Sequence, residues 1–92
     1  MEEKKRPNRD LLNELEYDDV VILENPDYDS AIIGVSEDRR VIYDFDKMVE
    51  HLMETDGMTD EEAIEFIEYN TIRALPYFQN APIIMYSLEK YQ

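Results

Sequence analysis

The sequence predicts an α+β fold: a small antiparallel or mixed β-sheet with two helices packed on one face and a short N-terminal helix. Three observations predict it. Two apolar runs, 31–35 and 40–43, flank the polar tetrapeptide Ser36-Glu37-Asp38-Arg39, a spacing that joins antiparallel neighbours directly. Phe45, Met48, Val49, Leu52 and Met53 recur at the 3.6-residue period of a helix laid on a sheet. Thr59 precedes Glu62 by three residues, which is the capping box that opens a second helix.

In chain order, residues 1–7 read as a disordered segment punctuated by Pro7, and 8–92 as one domain. Asn8 is placed to cap a helix through about residue 16, with Leu11, Leu12 and Leu15 on one face and Asp10 complementing the helix dipole. Val20-Val21-Ile22-Leu23 is a short β-branched run ended by Asn25-Pro26, which makes 20–23 an additional candidate strand. Gly34, inside the first strand of the hairpin, predicts a bulge or a close packing contact. Ser36 and Asp38 have the side chains that bond nearby amides in turns. Asp44 caps the helix 45–55, and Gly57 is placed to end it in a left-handed conformation. The helix 60–75 carries Ala63, Ile64, Phe66, Ile67, Ile72 and Leu75 before Pro76 stops it. Residues 82–86 read as a last strand, opened by Pro82 and therefore expected at a sheet edge.

Composition narrows the function. The 92 residues hold 23 acids against 9 Lys and Arg, a formal net charge of -14. Four of the cations, Lys4, Lys5, Arg6 and Arg9, fall in the first nine residues, and none occurs from Asp10 to Asp38. Hydrophobic residues make up 43%, too many for a disordered acidic tail, so the charge sits on a folded body. Affinity for nucleic acid comes largely from cations that neutralise phosphates, so the charge nearly excludes nucleic-acid binding and no direct nucleic-acid partner is expected. No cysteine is available for a disulfide or a thiolate metal site. No apolar run approaches the roughly 18 residues of a membrane span, and an anionic surface is repelled by anionic lipids. The expectation is a cytoplasmic protein with no membrane partner.

The sequence carries no enzymatic signature, and no catalytic residue, metal ligand or cofactor is assigned. Asp27-Tyr28-Asp29 begins like a calcium loop, but Ala31 stands at the next ligand position. Met58 occupies the place where Asp56-Gly57-Met58-Thr59-Asp60 would need an oxygen ligand. His51, the single histidine, falls mid-helix beside Glu50 and Glu54 with no nucleophile at recognisable spacing. Among the seven tyrosines, Tyr43, Tyr69 and Tyr86 read as core or core margin, whereas Tyr17, Tyr28 and Tyr77 are candidates for an interface.

The helices hold the sharper signal. Asp60, Glu61 and Glu62 suit the first turn of a helix, but Glu65 and Glu68 gain nothing from the dipole. Like-charge neighbours such as Glu61–Glu65 and Glu65–Glu68 are each unfavourable by about 0.2–0.5 kcal/mol. Asp46, Glu50 and Glu54, spaced by four, line one face of the preceding helix. Carboxylates about 5–6 Å apart along two such ridges approach the coarse spacing of phosphates on a nucleic-acid backbone. The expected partner-binding residues are therefore Asp46, Glu50, Glu54, Glu61, Glu65 and Glu68, together with Tyr17 and Tyr28.

Several segments carry a family likeness: 27–34 (DYDSAIIG), Val41-Ile42-Tyr43-Asp44, Asp56-Gly57-Met58-Thr59, Glu62-Ala63, 69–77 (YNTIRALPY) and 82–86 (PIIMY). Through them the chain resembles a family of small acidic proteins encoded by phages and mobile elements of Gram-positive bacteria. That family has no assigned activity, so no functional residue is carried over. The resemblance implies a setting in which small acidic proteins disarm host nucleases, restriction enzymes and CRISPR effectors among them. The leading expectation is a non-enzymatic, DNA-mimic inhibitor of anti-CRISPR or anti-restriction type whose partner is a basic nucleic-acid-binding protein such as a host defence nuclease. The alternative is a regulatory or antitoxin-like interaction module recognised through the hairpin edge and the tyrosines. A homodimer is open in either case.

Overall fold

A computed structural model describes residues 8–24 and 26–91, with the side chain of Lys90 left aside. The expected disordered segment 1–7 and Asn25 of the Asn25-Pro26 turn lie outside the described residues.

Helix α1 (Asn8–Glu14) comes first. It ends where Glu16 turns to φ 66, the amide of Tyr17 bonding the Leu12 carbonyl at 2.8 Å and that of Glu16 bonding Asn13 at 3.2 Å. This is a Schellman closure with glutamate in place of the usual glycine. Strands β1 (Ile32–Val35) and β2 (Val41–Asp44) form the expected hairpin. Ile32 faces Tyr43 and Gly34 faces Ile42, so Ile33 is the extra residue of a bulge. A Cβ at Gly34 would meet nothing within 4 Å, so the bulge, not a close contact, accounts for that position. In the hairpin loop the Ser36 hydroxyl bonds Asp38 and accepts the Arg40 amide at 3.0 Å, and Arg39 takes φ 62 to close the turn.

Helix α2 (Phe45–Asp56) starts on Asp44, whose carboxylate accepts the amides of Asp46 at 2.9 Å and Lys47 at 3.4 Å. It ends on Gly57 at φ 67, a conformation that a Cβ disfavours. Helix α3 (Asp60–Phe66) opens with both bonds of the capping box: Thr59 Oγ1 accepts the Glu62 amide at 3.2 Å, and Glu62 Oε1 accepts the Thr59 amide at 2.9 Å.

The single helix expected over 60–75 is instead three pitches in series: α3, a π-helical turn (Ile67–Thr71) and a 3₁₀ helix (Ile72–Tyr77). Two local causes are visible. Asn70 Nδ2 donates to the Phe66 carbonyl at 3.1 Å, occupying the acceptor that the Asn70 amide would use in an α-helix. Pro76 has no amide to offer the Ile72 carbonyl, so the last turn cannot continue as α.

Asn80, at φ 58, and Arg40 then guide the chain back. Asn80 Nδ2 bonds the Arg39 carbonyl at 3.1 Å, and Arg40 Nε bonds the Ala81 carbonyl at 2.6 Å. The final strand, β3 (Ile83–Met85), pairs parallel to β2, with Ile42 opposite Ile83 and Asp44 opposite Met85. The sheet is mixed, in the order β1-β2-β3, with β3 at an edge as its proline predicted. The candidate strand 20–23 does not form.

The core lies between β2, α2 and the α3–π segment: Ile32, Val41, Tyr43, Met48, Leu52, Ala63 and Ile67 are all buried. Among the described residues no helix is long and apolar enough to cross a membrane.

Candidate interaction surface

The inward stripe of α2, Phe45, Met48 and Leu52, fixes which way its carboxylates point. Asp46, Glu50 and Glu54 follow one another at four-residue spacing; Asp46 is half-buried, while Glu50 and Glu54 are exposed. Ala63 and Ile67 play the same inward role on the second helical stretch, leaving Asp60, Glu61 and Glu65 exposed on α3. Glu68 is exposed as well, but stands in the π-helical turn, so the straight α-helical row expected from Glu61 through Glu65 to Glu68 ends at Phe66.

From Phe45 to Thr71 the chain carries nine carboxylates and one lysine, Lys47. The described arginines are engaged elsewhere. Arg9 bonds Glu24 at 2.8 Å and Asp29 at 3.2 Å, Arg39 bonds Asp19, and Arg40 approaches Asp38 at 3.8 Å. These bonds hold the Asp19 carboxyl below the usual range and raise the Arg9 and Arg39 guanidinium values further. Arg73 lies 5.0 Å over the Tyr69 ring and not on Glu68. Among the described residues, no ion pair reaches Glu50, Glu54, Glu61, Glu65 or Glu68. The Thr59 backbone amide, and after it the Thr59 side chain, hold the Glu62 carboxyl below the usual range.

The two tyrosines expected at the interface do not join this surface. Tyr28 is 1% exposed, packed edge-on to His51 with ring centroids 5.8 Å apart, its hydroxyl 3.4 Å from Thr71 Oγ1. It joins the 26–31 segment to α2 and the π turn, and that packing corrects its assignment from surface to core. Burial is the main cause that raises its phenol pKa, opposed by the Thr71 bond. Tyr17 is half-buried beneath Arg39, whose guanidinium carbon stands 4.8 Å from the ring centroid, and it borders a different groove, between α1 and β1. Tyr69 and Tyr86, expected at the core or its margin, are 67% and 59% exposed, whereas Tyr43 is fully buried as expected.

Sequence reasoning missed a groove. Between α2, α3 and the segment after β3 runs a concave strip of about 560 Å³. Phe45, Val49, Ile64, Tyr86 and Leu88 form its apolar lining, and Asp46, Glu50 and Asp60 stand along it. The tilted Phe45–Tyr86 pair, 4.8 Å between centroids, fixes one wall. Ile64 was expected in the core stripe but is 36% exposed here. The signal in the sequence was Leu88, an apolar residue just beyond the expected strand 82–86.

His51 borders a separate polar hollow with Arg9, Glu24, Asp27 and Asp56. Among the described residues no group of three or more His, Cys, Asp or Glu side chains is arranged to hold a metal ion. Comparison with family models, curated proteins and solved structures finds no match to this chain.

Proposed function

We propose that the chain is a non-enzymatic inhibitor that binds a basic, nucleic-acid-handling protein of a bacterial host through the carboxylates of α2 and α3. The observation that carries this reading is that Glu50, Glu54, Glu61, Glu65 and Glu68 stand exposed while Arg9, Arg39 and Arg40 pair with Glu24, Asp29, Asp19 and Asp38. A fold selected for stability alone would gain from lysines at half of those helix positions, through favourable pairs at four-residue spacing. Uncompensated charge of one sign raises the association rate with an oppositely charged cleft and repels other partners. The family of phage and mobile-element proteins that the sequence resembles supplies a setting in which the target is a defence nuclease of restriction or CRISPR type.

The test is capture from a bacterial lysate at low and high salt, with duplex DNA as competitor. The expected result is a basic nucleic-acid-binding protein that is released by salt and by DNA. Replacing Glu50, Glu54, Glu65 and Glu68 together with Gln should flatten the salt dependence and weaken capture. Binding that is indifferent to that fourfold change and to DNA would overturn the reading.

A further inference from the structure

We infer that the groove between α2, α3 and the post-β3 segment is the docking site for a basic amphipathic segment of the protein partner, seated with its apolar face on Ile64, Tyr86 and Leu88. This rests on the proposed inhibitory reading and names the part of the partner that is held.

Four large apolar side chains stay largely in water along one concave strip: Ile64 at 36%, Tyr86 at 59%, Leu88 at 70% and Tyr91 at 75% exposure. They come from two parts of the chain that are distant in sequence, and the Phe45–Tyr86 ring pair joins them into one lining. Tyrosine in such a setting is a characteristic anchor, because it offers large contact area at little entropic loss. A purely electrostatic mimic of phosphate has no use for an apolar floor. A helix-in-groove contact has, and reads as apolar anchors at i, i+3, i+4 and i+7.

The occupant is chosen by charge. Glu50 is exposed on the groove's margin, and Asp60 is exposed at the start of α3, its carboxylate accepting the Glu61 amide at 2.9 Å. Glu54 continues the Glu50 row one turn farther. A segment that covers the floor must therefore place its flanks against carboxylates, which favours Lys and Arg beside the anchors. A second copy of this chain would bring carboxylate to carboxylate at a net charge of -14 each. The chain's own basic run, Lys4-Lys5-Arg6, has no apolar residue between Glu2 and Arg6 to fill the floor.

The probe is a synthetic helical peptide with leucines at i, i+3, i+4 and i+7 and Lys or Arg elsewhere. It is compared with a scrambled peptide of identical composition and with the same amphipathic peptide carrying Glu for Lys and Arg. Affinity is read by fluorescence anisotropy, and the contact by amide shifts around Ile64, Tyr86 and Leu88. The basic amphipathic peptide should bind at least roughly tenfold tighter than either control, a difference of about 1.4 kcal/mol. Leu88→Asp should remove that advantage without altering the scrambled peptide. Leu88 is mostly in water, so the fold should persist, and Tyr86→Ala serves as a second probe of the same wall.

Equal binding of the basic and scrambled peptides, untouched by Leu88→Asp, would overturn the groove and leave the electrostatic reading standing. No binding of either cationic peptide would sink both. Equal binding of the acidic peptide would overturn the charge of the occupant. A dimer in sedimentation that is lost in Leu88→Asp would assign the groove to a second copy instead.

Discussion

The backbone amide of Leu23 donates to the phenolic oxygen of Tyr43 at 2.9 Å, deep inside the molecule. Segment 20–23 has the composition of a strand, yet here one of its amides is satisfied by a side chain of the central strand and not by a ladder. Tyr43 thus does two jobs: its ring fills the core and its hydroxyl tethers a loop 20 residues earlier. Tyr43→Phe keeps the ring and strands the amide. The expected loss is about 1–3 kcal/mol, the usual penalty for a buried donor without an acceptor. Urea denaturation at neutral pH measures it, and an unchanged midpoint would mean that water reaches the Leu23 amide.

The same phenol makes stability fall at alkaline pH. Burial, the largest cause, pushes the Tyr43 pKa up to about 12, while the Leu23 amide acts in the opposite direction. In the unfolded chain tyrosine titrates near 10. Between these values the unfolded chain holds fewer protons than the folded one, so stability must decline as pH rises through that window. Tyr28 shifts in the same direction, chiefly through burial. Denaturation midpoints measured up to about pH 11 should slope downward from about pH 10, and Tyr43→Phe should flatten that slope. A wild-type profile that stays level to pH 11 would contradict the burial of both phenols.

At the start of α3, Thr59→Ala removes the acceptor of the Glu62 amide and should destabilise by about 1 kcal/mol. Glu62 supplies the pH dependence. Its carboxyl is held below the ordinary range by the Thr59 amide, so its contribution is complete above the unfolded value near 4.3 and vanishes as pH falls through the lower folded value. Glu62→Gln should soften the acid side of the stability profile. Thermal melts followed by circular dichroism between about pH 2 and 6 would reveal either effect.

The elements that proved legible in sequence are those specified by neighbours along the chain. Ser36 and Asp38 make the hairpin loop, Asp44 and Gly57 bound α2, and Thr59 with Glu62 opens α3. All are contacts within four residues or fewer, and all act as sequence spacing predicts. What escaped depends on distant partners. Tyr28 is buried against His51 and against Thr71, 43 positions later, and the second contact occurs at the end of the π turn that breaks the expected helix. Apolar periodicity counts Ile64 as core because it has the right spacing, but spacing cannot say whether a neighbouring segment will cover it. The acidic residues were legible one by one. That Asp46, Glu50 and Asp60 gather beside an apolar strip was not, because the strip's far wall is built by Tyr86 and Leu88.

The parallel pairing of β3 with β2 gives folding a sequence in time. Ile42 and Ile83 can meet only after the whole helical stretch between them has doubled back, a long closure compared with the short loop 36–40 of the hairpin. The hairpin, α2 and α3 rest on short-range contacts, so β3 is expected to dock last, an order that the effect of an Ile83→Ala change on refolding and unfolding rates would check. Until it docks, Phe45 lacks its ring partner and the strip beside α3 has one side only. The rate at which β3 locks in place would therefore set when the strip between α2, α3 and the post-β3 segment gains its second wall.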